Sequence, residues 1–412
     1  MKILGIETSC DETATAVVEN GVRILSNVVV SQIDIFAEYG GVIPEVAARS
    51  HLEVMMPVID KALADASVSW DEIDAIAVTH APGLLGSLLI GTLTARTLAI
   101  LHDKPLYAVH HLKSHVYANW LDAGQIGHDF SRDGSLAPVV TGRAPSSSVV
   151  TSGSTRKACS DLPSPSFPLL ALVVSGGHTQ ILRMTKHNQF EIVGTTRDDA
   201  VGECFDKVAK ILGLPYPGGP AIAKAALKGD ADKYKLPHPK IDGLDFSFSG
   251  LKTAVLRAVQ KEVGVPISYP SHKLKELLTP EQVFDFAASF QKTAVEILLE
   301  KMKAALKKYP EARSVVIAGG VSANEELRNT FISYSGSRRS RPSSRGERVN
   351  SRAAALRNTP SQDINVFFPT PSLSGDNGAM VAAACFYEIQ SGVKPVDPYA
   401  LNIYPKIEID HD

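Results

Sequence analysis

The feature that most constrains the fold is a strand-turn-strand unit that occurs twice, far apart in the chain. Lys2-Ile3-Leu4-Gly5-Ile6 runs into a polar turn, Ser9-Cys10-Asp11-Glu12-Thr13, and the chain returns as the strand Thr15-Ala16-Val17-Val18. Leu169-Leu170-Ala171-Leu172-Val173-Val174 repeats the pattern through Ser175-Gly176-Gly177-His178 into Thr179-Gln180-Ile181-Leu182. Hydrophobic runs bounded by turn residues read as hairpins. Two such hairpins predict two α/β lobes, each begun by its own hairpin.

The rest of the chain fits that frame. A helix is expected over 44–65. Ala75-Ile76-Ala77-Val78-Thr79 reads as a buried strand, and Pro82-Gly83-Leu84-Leu85-Gly86-Ser87 opens an apolar helix to about residue 101. In the second half, helices are expected over 203–212, 220–228, 250–262 and 280–308. Ser314-Val315-Val316-Ile317-Ala318 is a strand that leads through Gly319-Gly320-Val321-Ser322-Ala323-Asn324 into a helix from Glu325. A last strand at 364–368, the turn Ser374-Gly375-Asp376-Asn377-Gly378 and a helix through 389 follow. Residues 131–168 and 333–361 turn to Ser, Pro, Thr, Gly and Arg, a composition that cannot bury enough apolar surface to fold alone. The organisation is therefore a first lobe at 1–130, an insertion at 131–168, a second lobe at 169–332, a basic insertion at 333–361, and a C-terminal segment at 362–412. With 412 residues, 44% of them hydrophobic, the chain has material for two domains.

Charge and cysteines narrow the setting. The net charge of −2 conceals seven Arg and one Glu within 338–357, which is +6 and leaves −8 elsewhere. Cys10, Cys159, Cys204 and Cys385 are widely spaced and form no CxxC pair, so reduced thiols are expected rather than a disulfide scaffold. No stretch approaches the roughly 20 apolar residues that span a bilayer, and Met1 leads into a short strand rather than a signal peptide. A cytoplasmic protein with no membrane partner is the expectation.

Three glycine turns, at 175–177, 218–219 and 319–320, are expected at strand ends, where backbone N–H groups can approach an anion. Neither GxxxxGK[ST] nor GxGxxG after a strand occurs, which disfavours P-loop and Rossmann sites and leaves the phosphate hairpin of actin, Hsp70 and sugar kinases. His111 and His115 lie four apart in His110-His111-Leu112-Lys113-Ser114-His115, the spacing that stacks two imidazoles on one helix face. Asp376, in a tight turn before a late helix, is suited to bring a carboxylate to them. Two His and one carboxylate suit Fe(II) or Zn(II) acting as a Lewis acid. Leu112 stands where a zinc protease would place its glutamate. Asp11 and Glu12 are paired carboxylates at the hairpin tip, either surface acids or groups that orient an amine or a metal-bound water. His178, on a glycine-rich turn, reads as a ligand contact. Asp206 is by default a solvated helix charge, with a ribose or hydroxyl contact as the alternative.

These residues resemble one family, the bacterial TsaD type of tRNA threonylcarbamoyladenosine transferase, once described as O-sialoglycoproteases. The resemblance covers nearly all of the chain outside the two insertions. It rests on 5–13, 41–49, 82–88, His111 and His115, 174–179, 202–207, 217–220, 248–253, 319–324 and 376–379. It implies a two-lobed fold of the actin/Hsp70/sugar-kinase (ASKHA) class with a duplicated mixed-sheet core. The implied reaction moves a threonylcarbamoyl group from threonylcarbamoyl-adenylate to N6 of adenosine-37 in tRNAs reading ANN codons and releases AMP. The resemblance places one Fe2+, with Zn2+ as the alternative, on His111, His115 and Asp376. It assigns the adenylate to Val173, Val174, Ser175, Gly176, Gly177, His178, Asp206, Gly219 and Asn324. Implied partners are the tRNA anticodon loop, a TsaB-like paralogue and a TsaE-like ATPase.

The chain departs from the family pattern at Leu112-Lys113-Ser114, and at Ala221 to Ala223, where some relatives carry a ligand-holding aspartate. Its two insertions are long. The second reads either as a surface insertion or as a patch for tRNA phosphates. Three alternatives compete: a metalloprotease, an ASKHA small-molecule kinase, and a non-catalytic scaffold of a modification complex. The nucleotide turns oppose the first. The second needs a catalytic aspartate near a sugar site, and the third requires neither metal ligands nor hairpin acids.

Overall fold

A computed structural model describes residues 1–122, 164–239, 241–335 and 364–409. The expected insertions lie almost wholly outside the described residues, and with them the basic stretch. The first half comprises β1 (Lys2–Glu7), β2 (Glu12–Glu19), β3 (Arg23–Ser31), α1 (Ile33–Ala37), α2 (Pro44–Ala66), β4 (Ala75–Ala81), α3 (Leu85–Leu101), β5 (Leu106–His110) and α4 (His111–Tyr117). The second comprises β6 (Leu169–Val174), β7 (Thr179–Met184), β8 (Phe190–Thr195), α5 (Val201–Leu212), α6 (Gly218–Ala226), α7 (Ser249–Glu262), α8 (Pro280–Lys308), β9 (Ser314–Ala318), α9 (Glu325–Tyr334), β10 (Asn365–Phe367) and α10 (Gly378–Gln390).

The two sheets have the orders β3-β2-β1-β4-β5 and β8-β7-β6-β9-β10. In each, the first strand pairs antiparallel with the second and parallel with the fourth, so the topology is duplicated. The third strands, β3 and β8, extend each hairpin into a meander that the alternation pattern did not signal. β3 alternates buried and half-exposed positions at the sheet edge, so its apolar content is diluted.

Strand periodicity sorts the core into layers. Leu4 and Ile6 of β1, with Ile76 and Val78 of β4, pack on α2 and α3. Ile3, on the other face, joins Ala77 and Val109 in a core that includes α4 and α10. Ala171 and Val173 of β6 and Val316 of β9 enter the same core from the second sheet. Leu170, Leu172 and Val174 face outward onto α5, α7 and α8. Helices α4 and α10 are thus enclosed between the sheets. Every residue of α4 is buried, as are Gly378 to Cys385 of α10.

The C-terminal segment therefore serves both lobes: β10 edges the second sheet, while α10 packs on the first and brings the turn before it to the sheet interface. Gly218-Gly219 is a correction: the pair follows α5 and opens α6, and is not at a strand end. Gly218 sits so close to α5 that an added Cβ would lie 2.6 Å from the Asp206 Cα. At α8 the start is set locally by Thr279 and Gln282, a reciprocal capping box, with Pro280 in the first turn.

Candidate metal centre and interlobe site

The chain passes directly from β5 into α4, and His110 caps the junction by accepting at Nδ1 from the Leu112 N–H at 3.2 Å. One turn of helix then brings His111 and His115 together edge to face, with ring centroids 4.6 Å apart and planes inclined by 75°. Asp376 arrives from the turn before α10, which is held in place by Asn377, whose Oδ1 accepts from Met380 N at 2.9 Å. The Asp376 Oδ1 lies 3.1 Å from His115 Nε2 and 3.7 Å from His111 Nε2. One ligand atom from each of the three residues falls within 4.8 Å of the others, so the expected trio is assembled.

Two observations fit this set to a cation. Both ring nitrogens of His115 are buried without a hydrogen bond in register, although Nε2 is close to Asp376. The donors are two imidazoles and one carboxylate, the combination suited to Zn(II) or Fe(II). Mutual electrostatics are strong. Burial alone would lower the His111 imidazole, but Asp376 and Glu7 lift it to about 9. Burial alone would raise Asp376, but His111 and His115 bring it down to about 2.

Sequence reasoning missed Glu7. It closes the apolar strand β1 and is wholly buried, and its Oε2 lies 3.1 Å from His111 Nδ1. Thr79 donates to the same oxygen at 2.6 Å, and the Ser9 N–H donates to Oε1 at 2.5 Å. Burial would raise this carboxyl, yet His111 and the donated hydrogen bonds hold it below its ordinary value. An acid ending an apolar strand was the available signal.

Asp11 and Glu12 stand at the start of β2 as expected, half-buried rather than free surface acids. Burial raises both carboxyls, and repulsion from Asp376 adds to it, as does Asp11 acting on Glu12. His51 of α2, also missed, grips this turn from below. It is buried, with Nδ1 2.7 Å from Thr13 Oγ1 and Nε2 2.9 Å from the Cys10 carbonyl.

The second lobe supplies the opposite wall. Val173 and Val174 are buried at the end of β6, and the turn closes through Ser175 N to His178 O at 2.9 Å and His178 N to Ser175 Oγ at 3.1 Å. An added Cβ at Gly176, Gly177, Gly219, Gly320 or Gly375 would meet nothing within 4 Å. Packing does not require glycine there, and these positions border open space. Burial and the neighbouring His111 and His115 lower His178 to about 4, which places it with the metal trio. Asp206 is held rather than solvated: it accepts from Gly218 N at 2.7 Å, and burial raises its carboxyl. Tyr216, absent from the expected set, is close enough that burial and then Asp11 and Asp206 push its phenol up. Asn324 caps α9, accepting from Leu327 N at 3.0 Å and donating to Gln291 Oε1 at 2.8 Å.

A duplicated mixed-sheet core, with a His-His-Asp trio of two buried imidazoles and a half-buried carboxylate on one side and glycine turns on the other, defines a two-lobed protein of the ASKHA class. The family model described as TsaD, tRNA N6-adenosine threonylcarbamoyltransferase, matches residues 23–158 and 154–383. A protein of that name from Syntrophomonas wolfei is 41% identical over 98% of this chain and 97% of its own length. One from Symbiobacterium thermophilum is 43% identical over 95% of this chain and 93% of its own. Among solved structures, full-length HypF in its phosphate- and nucleotide-bound form is 12% identical with a TM-score of 0.48, covering 95% of this chain and 46% of that one. The chain belongs to the TsaD family and is a tRNA N6-adenosine threonylcarbamoyltransferase by family.

Proposed function

We propose that the cleft transfers a threonylcarbamoyl group from threonylcarbamoyl-adenylate to N6 of adenosine-37 in tRNAs reading ANN codons, with release of AMP. The observation that carries this reading is the assembly of His111, His115 and Asp376 beside the open glycine turns of the second lobe. His111, His115 and Asp376 would hold one Fe2+ or Zn2+. A cation there supplies Lewis acidity toward a carbonyl or phosphate oxygen.

The protein's own groups account for the remaining steps. Gly176, Gly177 and Gly219 leave room for the adenylate to approach the backbone, and Val173, Val174, Ser175, His178, Asp206 and Asn324 frame it. The N6 amine attacks the carbamoyl carbon, the carbon–oxygen bond to phosphate breaks, and AMP leaves with that oxygen. The proton lost from N6 passes to the Asp11–Glu12 pair, whose affinity for a proton is raised by burial and by the charge of Asp376, with Asp11 adding to it at Glu12. An anticodon-loop base is reachable without opening a duplex.

A TsaB-like paralogue and a TsaE-like ATPase complete the reading. Leu52 and Met56 on α2 and Leu85, Leu89 and Leu93 on α3 are all exposed, an apolar face of the kind a paralogous subunit covers. Among the described residues no helix is long and apolar enough to cross a membrane. A tRNA substrate places the reaction in the cytoplasm.

The test is direct. The purified protein, with and without the two partners, is incubated with threonylcarbamoyl-adenylate and an ANN-decoding tRNA, and the nucleosides are analysed by mass. Modified adenosine should form with the native chain and vanish with His111→Ala. No modified nucleoside under any partner combination would refute the reading.

A further inference from the structure

Glu7 is an ionisable group with no access to solvent and no role in holding substrate. Its carboxylate already receives two hydrogen bonds, from Thr79 Oγ1 and Ser9 N. The remaining contact is His111 Nδ1 at 3.1 Å. An ionised carboxylate can only accept, so this contact is a hydrogen bond only if Nδ1 bears the proton. The other ring nitrogen, Nε2, is the one that faces Asp376, at 3.7 Å.

We propose that Glu7 is a positioning residue of the metal centre: it holds His111 in the tautomer protonated at Nδ1, so that Nε2 presents its lone pair toward Asp376. The inference rests on His111, His115 and Asp376 being the ligand set. Charge supports it. Glu7 behind the imidazole and Asp376 in front together supply two negative charges, which match a divalent cation in a buried site. A fixed ring also spares the ion the cost of ordering its ligand. The competing partner is Ser9, whose Oγ is likewise 3.1 Å from His111 Nδ1. A hydroxyl can donate or accept and so does not select a tautomer, whereas the carboxylate does.

The variant Glu7→Gln is nearly isosteric and reverses this logic. Its amide N–H can donate to Nδ1, which moves the imidazole proton to Nε2 and blocks the ligand atom. Full-length metal-free protein would be titrated with Zn(II) against a competing chelator, for the native chain, Glu7→Gln, Ser9→Ala and His111→Ala. The expected result is tight 1:1 binding by the native chain, a loss of about 10- to 100-fold in Glu7→Gln, and little change in Ser9→Ala. Native affinity in Glu7→Gln, or an equal loss in Ser9→Ala, overturns the inference. Should Glu7→Gln fail to fold, long-range 15N spectra of the native metal-free protein decide the matter, recorded above the value of about 9 to which His111 is lifted so that the ring is neutral and its tautomer is defined. A His111 ring protonated at Nδ1 supports the inference, and one protonated only at Nε2 refutes it. Absence of Zn(II) binding by the native chain, or full binding by His111→Ala, refutes the ligand set itself. That outcome is distinct from tight native binding that Glu7→Gln leaves intact.

Discussion

Gly5 on β1 and Gly378 at the start of α10 touch so closely that a Cβ built on Gly5 would stand 2.2 Å from the Gly378 carbonyl oxygen. The same Cβ would lie 2.7 Å from Ala382 N, so backbone rather than a movable side chain is in the way. This contact seats α10 against the first sheet, and Asp376 lies just two residues before that helix. Gly5→Ala should push α10 outward and cost about 1–3 kcal/mol, as overpacking in a dense core does. Because Asp376 moves with the helix, Zn(II) affinity should fall as well. Urea unfolding and a Zn(II) titration of the same preparation would check both, and native values in either would contradict this account of the contact.

His51 supports a second prediction. The Cys10 carbonyl can only accept, so His51 Nε2 carries the proton and Nδ1 accepts from the Thr13 hydroxyl. Burial favours the neutral ring that this arrangement requires. His51 thereby spans both ends of the Asp11–Glu12 turn. His51→Ala should slow nucleoside modification markedly while leaving Zn(II) affinity near native. His51→Gln, which keeps a donor for Cys10, should retain more activity. A double-mutant cycle with Thr13→Val should show about 1 kcal/mol of coupling in unfolding free energy. Additive effects would mean that the pair does not act as a unit.

Much of this was legible from residue patterns because strand and helix signals were local. Ser314–Ala318 and Pro280–Lys308 begin and end where the apolar run Val315 to Ala318, a Thr-Pro cap and a terminal Lys pair say they should. The trio of His111, His115 and Asp376 was also legible, since a four-residue helical spacing is local and only the carboxylate had to come from elsewhere. The enclosure of α4 and α10 between the sheets was not. A helix buried all round has no amphipathic stripe, and Lys113 and Ser114 disguise α4 as a surface element. Glu7 and His51 were missed for a related reason. Each is a polar residue at a position whose periodicity says core, and only its buried partners reveal what it does.

The exposed apolar face of α2 and α3 yields a third prediction. Leu52 and Leu93 are 68% and 44% exposed, so charge there costs the isolated protein little. Leu52→Glu with Leu93→Glu should shift unfolding by less than about 0.5 kcal/mol per site. The same pair should abolish co-elution with a TsaB-like paralogue in size-exclusion chromatography. Undiminished complex formation would place the partner on another surface.

Asp198 supports a pH-dependent prediction away from the cleft. Its Oδ1 accepts from Phe248 N at 2.8 Å and Ser249 N at 3.2 Å, and its Oδ2 from Ser247 Oγ at 2.5 Å and Ser249 Oγ at 2.7 Å. These bonds satisfy donors at the start of α7, where a carboxylate also faces the positive end of the helix dipole. Burial would raise the carboxyl, but the hydrogen bonds from Ser247 and Ser249 hold it below its ordinary value. A carboxyl lowered in the folded state stabilises that state above its unfolded pKa of about 3.9. The contribution is lost as pH falls through the lower folded value, because the proton then binds both states. Asp198 is exposed, so solvent screening limits the charge component and the cap should be worth about 0.5–1 kcal/mol. Asp198→Asn should therefore lower stability by that amount at about pH 7. The gap between variant and native protein should close as pH falls below the unfolded value and through the lower folded one, where the native carboxyl is itself protonated. Urea unfolding of both proteins across this range measures the difference, and a gap that stays constant with pH would show that the carboxylate charge contributes nothing to the cap.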